Sequence, residues 1–234
     1  MKNITTIFNK SMKMSELIDA DYQFLLLLTR LGIPLGFGEK SVEHVCRQNN
    51  FDPDCFIFLT NFQSGNFILN VQEEFEKLPL DPFLVYLKNS HTYFLEDRLP
   101  NIRRKLKIMF ANKDKDQETV VLSFFDHYMK EVSDHMIYED EVVFPYVHSL
   151  VCQQNTNKYS INIFEKRHNN IDEKVDDLKQ ILMKYILGVE DQKLMTNVLI
   201  ELYMTQEELE KHTSLEDNLI IPRVKKLEKK NPAK

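Results

Sequence analysis

The chain has 234 residues, five glycines, no tryptophan and a formal charge of −6. That acidic balance argues against a general nucleic-acid binder, and the apolar run "FLLLLTRLGIPLGF" is too short, and too broken by Arg30 and Pro34, to span a bilayer. Three scattered cysteines, Cys46, Cys55 and Cys152, fit a reducing compartment better than a disulfide framework. The opening stretch lacks a signal-peptide core, so a soluble cytoplasmic protein is expected.

In chain order, "SELIDADYQFLLLLTRLG" predicts a helix stopped by Gly32 and Pro34. "SVEHVCRQN" predicts a short helix with Ser41 as its N-cap, and "DPDCFIFLTNFQ" a third helix started by Asp-Pro. Together these form a small helical domain over residues 1–75. "EEFEKLPLDP" reads as a linker that ends with Asp81 as cap and Pro82 as the first residue of the next helix.

Four long helical patterns follow, over residues 82–110, 117–150, 161–187 and 191–229, within a second domain of residues 80–230. Their connections are polar or contain glycine. Short links between long helices favour antiparallel neighbours, so the expected fold is all-α, an up-and-down four-helix bundle after a small helical domain. Pro100, Pro145 and Pro222 mark expected kinks or early stops. The basic end "RVKKLEKKNPAK" reads as a solvated helix end.

The chemistry lies in a doubled phrase. "HMIYEDEVVFPYV" begins at His135 and "HTSLEDNLIIPRV" at His212, and both contain His-x-x-x-Glu-Asp followed by Pro-x-Val. His91 precedes His135 by 44 residues, and His168 precedes His212 by 44. At 1.5 Å per residue, the climb from His91 to its helix end is roughly 30 Å and the return to His135 roughly 27 Å, so the two should meet at nearly one level. The same sum holds for His168 and His212.

At i, i+4, His135 shares a helix face with Glu139, and His212 with Glu216. Four imidazoles and two carboxylates converging in a bundle core are costly without a counter-charge. With two metal ions they form a reasonable dinuclear site, and imidazole with carboxylate suits iron, zinc or manganese. Glu131 and Glu208, each four residues before a site histidine, are candidates for supporting the ligands or relaying protons. His127 is turned away from His135. Tyr128 either packs in the core or hydrogen-bonds a ligand. His44 and His148 read as structural.

These segments, with "NSHTYFLEDRLPNI" and "EKRHNNIDEKVDDL", resemble the metal-ligand segments of hemerythrin-like di-iron domains, and most closely those of the iron–sulfur cluster repair family. The resemblance runs from about residue 80 to 225. It implies a non-haem di-iron centre held by His91, His135, Glu139, His168, His212 and Glu216, with the two glutamates bridging. It also implies a role in repairing or protecting iron–sulfur centres under nitrosative or oxidative stress. NO or O2 would be the small ligand and iron–sulfur proteins the partners, with no nucleic acid and no membrane.

The N-terminal stretch is similar to the family's short helical domain but departs from it. Where the family carries adjacent cysteines after Leu-Gly-Ile, this chain reads Pro34-Leu35-Gly36-Phe37. Cys46 reads as a small buried apolar residue. That departure raises the alternative of an O2 or NO sensor, or an iron store, without repair activity. A metal-free interaction protein is a further alternative; DNA-linked regulation through the N-terminal helices fits poorly with the charge.

Overall fold

The computed structural model describes residues 7–66, 69–110, 115–152, 159–167, 171–186 and 191–230. The chain divides into two compact units, Met1–Ser90 and His91–Lys234. In the first, the leading apolar pattern forms two helices, α1 (Met14–Ala20) and α2 (Phe24–Arg30), rather than the single one expected. The break is at Asp21, whose backbone is extended and whose Oδ1 accepts the N–H of Gln23 at 3.0 Å. A short carboxylate that satisfies a nearby N–H competes with the helix ladder. Helix α2 ends at Gly32, which takes φ +65° as the Ile33 N–H bonds back to Leu28 O at 2.9 Å, an end that favours glycine.

Helix α3 (Val42–Gln48) is capped by Ser41, and α4 (Pro53–Gln63) by Asp52, which accepts from the N–H groups of Asp54 and Cys55. The stretch expected as a linker contains a helix, α5 (Val71–Lys77). Among its charged residues only Phe75 is buried, and that ring packs on Phe83 at 4.8 Å and Phe58 at 5.5 Å. Helix α6 runs from Asp81 to Thr92, one residue earlier than the cap pattern suggests. Its first part belongs to this unit: the Tyr86 hydroxyl accepts from Gln63 Nε2 at 2.7 Å and Arg30 Nη1 at 3.2 Å.

The second unit is a helical bundle. Its first strand of helix continues from α6 through a π-helical segment π1 (Tyr93–Arg98) into α7 (Leu99–Met109). The second comprises α8 (Lys115–Tyr138), π2 (Glu139–Val143) and α9 (Phe144–Val151). The third contains α10 (Ile161–Arg167) and α11 (Ile171–Lys184), and the fourth α12 (Gln192–Leu215), π3 (Glu216–Ile220) and α13 (Ile221–Lys230). Helix α7 packs on α8 and α12, and α11 packs on the same two, which closes the ring. The core between them includes Leu106, Phe125, Val132, Leu178 and Leu202. Among the described residues no helix is long and apolar enough to cross a membrane.

The three π segments account for the three prolines. Pro100, Pro145 and Pro222 each stand two residues past the end of a π segment. A proline in a regular helix interior loses an N–H bond and collides with the carbonyl four residues back. Here the residue just before each proline reaches five back: Leu99 to Phe94 O, Phe144 to Glu139 O and Ile221 to Glu216 O. The widened turn accommodates the ring, so the helices continue where early stops were one expectation.

One carboxylate ties the start of the third bundle helix to the fourth. Glu228 Oε1 accepts from Ile161 N at 2.7 Å and Tyr146 Oη at 2.7 Å, and Oε2 accepts from Ser160 Oγ at 3.4 Å. It thus caps α10 from α13, supplying a partner that helix starts lack within themselves. Glu228→Ala should destabilise the protein by about 1–3 kcal/mol, read by denaturant melts, while Lys229→Ala changes little. Equal stability of both variants would remove Glu228 as an anchor.

Candidate metal centre

Four buried side chains bring one ligand atom each to within 4.8 Å of one another: His91, Glu139, His212 and Glu216. They come from three bundle helices. Glu139 and Glu216 are the first residues of π2 and π3, four residues after His135 and His212 as the doubled phrase requires. His91 lies on the neighbouring first helix, two residues before π1.

The distances define the site. His91 Nε2 is 2.9 Å from Glu139 Oε2 and 3.2 Å from His212 Nε2. His212 Nε2 is 3.4 Å from Glu216 Oε1 and 4.0 Å from Glu139 Oε2. His135 is slightly more open and places Nε2 at 2.8 Å from the other oxygen of Glu139, Oε1. Both Glu139 oxygens are fully buried yet make no well-aligned hydrogen bond among the described residues. The imidazoles are packed among aromatic rings: His91 stacks on Phe144 at 5.4 Å, Phe94 meets His212 edge-on at 6.2 Å, and His135 stacks on Phe164 at 6.0 Å.

This donor set fits a metal ion. Metal–N and metal–O bonds of about 2.0–2.2 Å place neighbouring ligands about 2.8–3.6 Å apart around an octahedron or tetrahedron. The contacts at 2.9, 3.2 and 3.4 Å fall in that range. Two Nε2 atoms facing each other repel when both carry a proton, whereas both can offer lone pairs to one cation. The set is oxygen and nitrogen only, which favours a borderline or hard first-row ion over a thiolate-bound one.

The charges reflect the crowding. Burial pulls His91 down, but Asp140, Glu139 and Glu216 outweigh it and push its pKa up to about 9. Burial likewise pulls on His212, yet Glu216 and Glu139 raise it above its ordinary value. Burial acts to raise Glu139, and the three surrounding imidazoles overcome this and hold it well below its ordinary range.

The other sequence candidates fall in different places. His168 lies outside the described residues. Glu208 is buried one turn before His212 and binds Arg98 Nη2 at 2.6 Å. Glu131 is more open and pairs with Lys174 and, at 3.1 Å, with His127. Tyr128 is buried in the core, and His44 and His148 are exposed. Two residues near the site carried no expectation. Arg98 ends π1 and neutralises Glu208. Asp140 reaches His91 Nδ1 at 3.0 Å; the repetition of Asp after Glu in both halves was its only signal.

A helical bundle with a buried His/Glu cluster defines a cation-binding bundle protein. The family model described as the hemerythrin HHE cation binding domain matches residues 86–224, and the chain belongs to that family. Comparison with curated proteins returned no significant match.

Two outcomes follow from this geometry. Removing Arg98 takes the guanidinium partner from the buried Glu208 carboxylate, so Arg98→Ala should cost about 3–5 kcal/mol, whereas joint replacement of Arg98 and Glu208 by methionine and leucine restores much of it; a double-mutant cycle with no recovery would refute that account. In the metal-free protein, raised histidines stabilise the fold fully below their ordinary value of 6.5, and His91's share is lost as pH rises through about 9. Glu139 contributes the opposite way, its share being lost as pH falls from its ordinary 4.5. The melting temperature of the metal-free protein should therefore fall as pH rises from 6.5 through about 9. His91→Gln should flatten that slope, and an equally steep slope in the variant would overturn the assignment.

Proposed function

We propose that the bundle holds a dinuclear iron centre and that the protein repairs or protects iron–sulfur centres damaged by NO or oxidative stress. One observation carries the dinuclear reading: Glu139 divides its oxygens, Oε2 toward His91 and His212 and Oε1 toward His135. A carboxylate that serves two separate nitrogen groups is arranged as a bridge between two cations. The ligand set proposed is His91, His135, Glu139, His168, His212 and Glu216. When bound, iron would supply a change between ferrous and ferric states and an open position for NO or O2. The chain's own residues do the rest. The imidazoles orient the donors, Glu139 and Glu216 balance positive charge, and Phe94, Phe144 and Phe164 exclude water. The repair role itself rests on the resemblance to the cluster-repair family.

A second reading, an O2 or NO sensor or an iron store without repair activity, is favoured by the N-terminal unit. Pro34, Leu35, Gly36 and Phe37 line a cavity wall where the repair family carries thiols. Cys46 and Cys55 are buried, and burial pushes the Cys46 thiol up to about 12, far from a reactive thiolate.

Anaerobically reconstituted protein should hold about two irons per chain, with the Mössbauer signature of a coupled pair that His135→Ala and His212→Ala abolish. Addition of NO to the reduced protein should change its absorption spectrum. Recovery of an NO-damaged iron–sulfur enzyme on incubation with the protein supports repair; NO binding without recovery supports the sensor or store. Iron content near zero would sink both.

A further inference from the structure

We propose that Asp140 selects the ring nitrogen that His91 offers to the metal centre and so sets how tightly that centre is held. This rests on the reading of His91 as a ligand. Both nitrogens of His91 are engaged: Nδ1 lies 3.0 Å from Asp140 Oδ1, while Nε2 faces Glu139 and His212 at 2.9 and 3.2 Å. An ionised carboxylate only accepts, so it holds the proton of a neutral imidazole on Nδ1 and leaves the Nε2 lone pair directed into the donor cluster.

His212 shows the contrast. Among the described residues its buried Nδ1 has no hydrogen-bond partner, so the choice of tautomer there is not dictated in the same way. The fold makes the Asp140 contact available through π2. Glu139 and Asp140 are consecutive, and in a regular helix they would point well apart. In the wider π turn both reach the same ring of the neighbouring helix, one at each nitrogen. Stacking on Phe144, nearly parallel at 15°, fixes the ring plane. The choice left is which ring nitrogen carries the proton, and Asp140 resolves it.

Core packing does not explain Asp140. Its side chain keeps 27% of its surface open, so water can solvate it without a protein partner. A carboxylate that orients a ligating imidazole and raises its basicity is a positioning residue, and losing such a partner weakens metal affinity by about 10–100-fold.

Zinc serves as a diamagnetic probe. Zinc affinity by chelator competition, and the His91 ring nitrogens by 15N NMR, are measured on wild type, Asp140→Ala, Asp140→Asn, His91→Ala and Glu141→Gln. The last removes an adjacent exposed charge. Asp140→Ala should lose about 10–100-fold in affinity and the fixed Nδ1–H signal of His91, with Asp140→Asn intermediate and Glu141→Gln unchanged. Wild-type affinity and an unchanged His91 signal in Asp140→Ala overturn the inference while zinc binding by wild type leaves the metal reading standing. Should Asp140→Ala fail to fold by circular dichroism, the same outcome in Asp140→Asn is decisive. If wild type takes up no zinc, or His91→Ala binds it as tightly, the ligand reading falls and the inference with it.

Discussion

A carboxylate with no exposure to water, Glu139, sits among imidazoles from three helices, and keeping it charged there is the constraint on which the bundle's middle layer depends. Removing a carboxylate from water is costly unless cations or strong donors replace the lost hydration. Two of its neighbours, His91 and His212, are buried as well. The layer therefore draws charge inward from every side, and the aromatic rings around it keep the dielectric low. Such an arrangement can take a cation among donor atoms that lie within 4.8 Å of one another.

The chain solves this problem twice. His135 and His212, with the glutamates that follow them, stand at the same point of matching helices, and so do Glu131 and Glu208 one turn earlier. Each of these last two takes a cation from an adjacent helix: Lys174 for Glu131 and Arg98 for Glu208. The halves are not copies in energy. Arg98 and Glu208 are largely buried, whereas Lys174 and Glu131 are half open to solvent. One half of the internal repeat thus depends on a desolvated ion pair, and the other makes its pair where water shares the load.

Much of this was legible in the amino-acid order. The first, second and fourth long helices appear within one or two residues of their expected limits, as at 81 and 109 for the first and 192 and 230 for the last, while the third starts at 161 as expected and ends at 184 rather than 187; the agreement comes from apolar stripes that keep a helical period. The equal 44-residue offsets identified His91 as the partner of the doubled phrase before any geometry was known. Other features left weak traces. The break at Asp21 depends on one side chain bonding a nearby N–H, and α5 hides because a single ring, Phe75, anchors seven mostly charged residues. Asp140 carried no expectation, since its contact is with another helix and arises in a turn that is not α-helical. The prolines signalled a disturbance but not its form.

That form has a consequence for how the helices are indexed. An i→i+5 turn absorbs more chain than an α turn, so the residues after each π segment are out of phase with those before it. Phe144, Val147 and Leu150 face inward only because π2 shifts the frame ahead of them. A regular α register through the same stretch would turn the far end by roughly 100° per residue gained or lost and carry those side chains toward solvent. The proline ring forbids that register by occupying the space the α carbonyl would need. Pro145 and Pro222 are therefore phase locks: each keeps two stretches of one continuous helix in a fixed angular relation, with the donor layer held at the join.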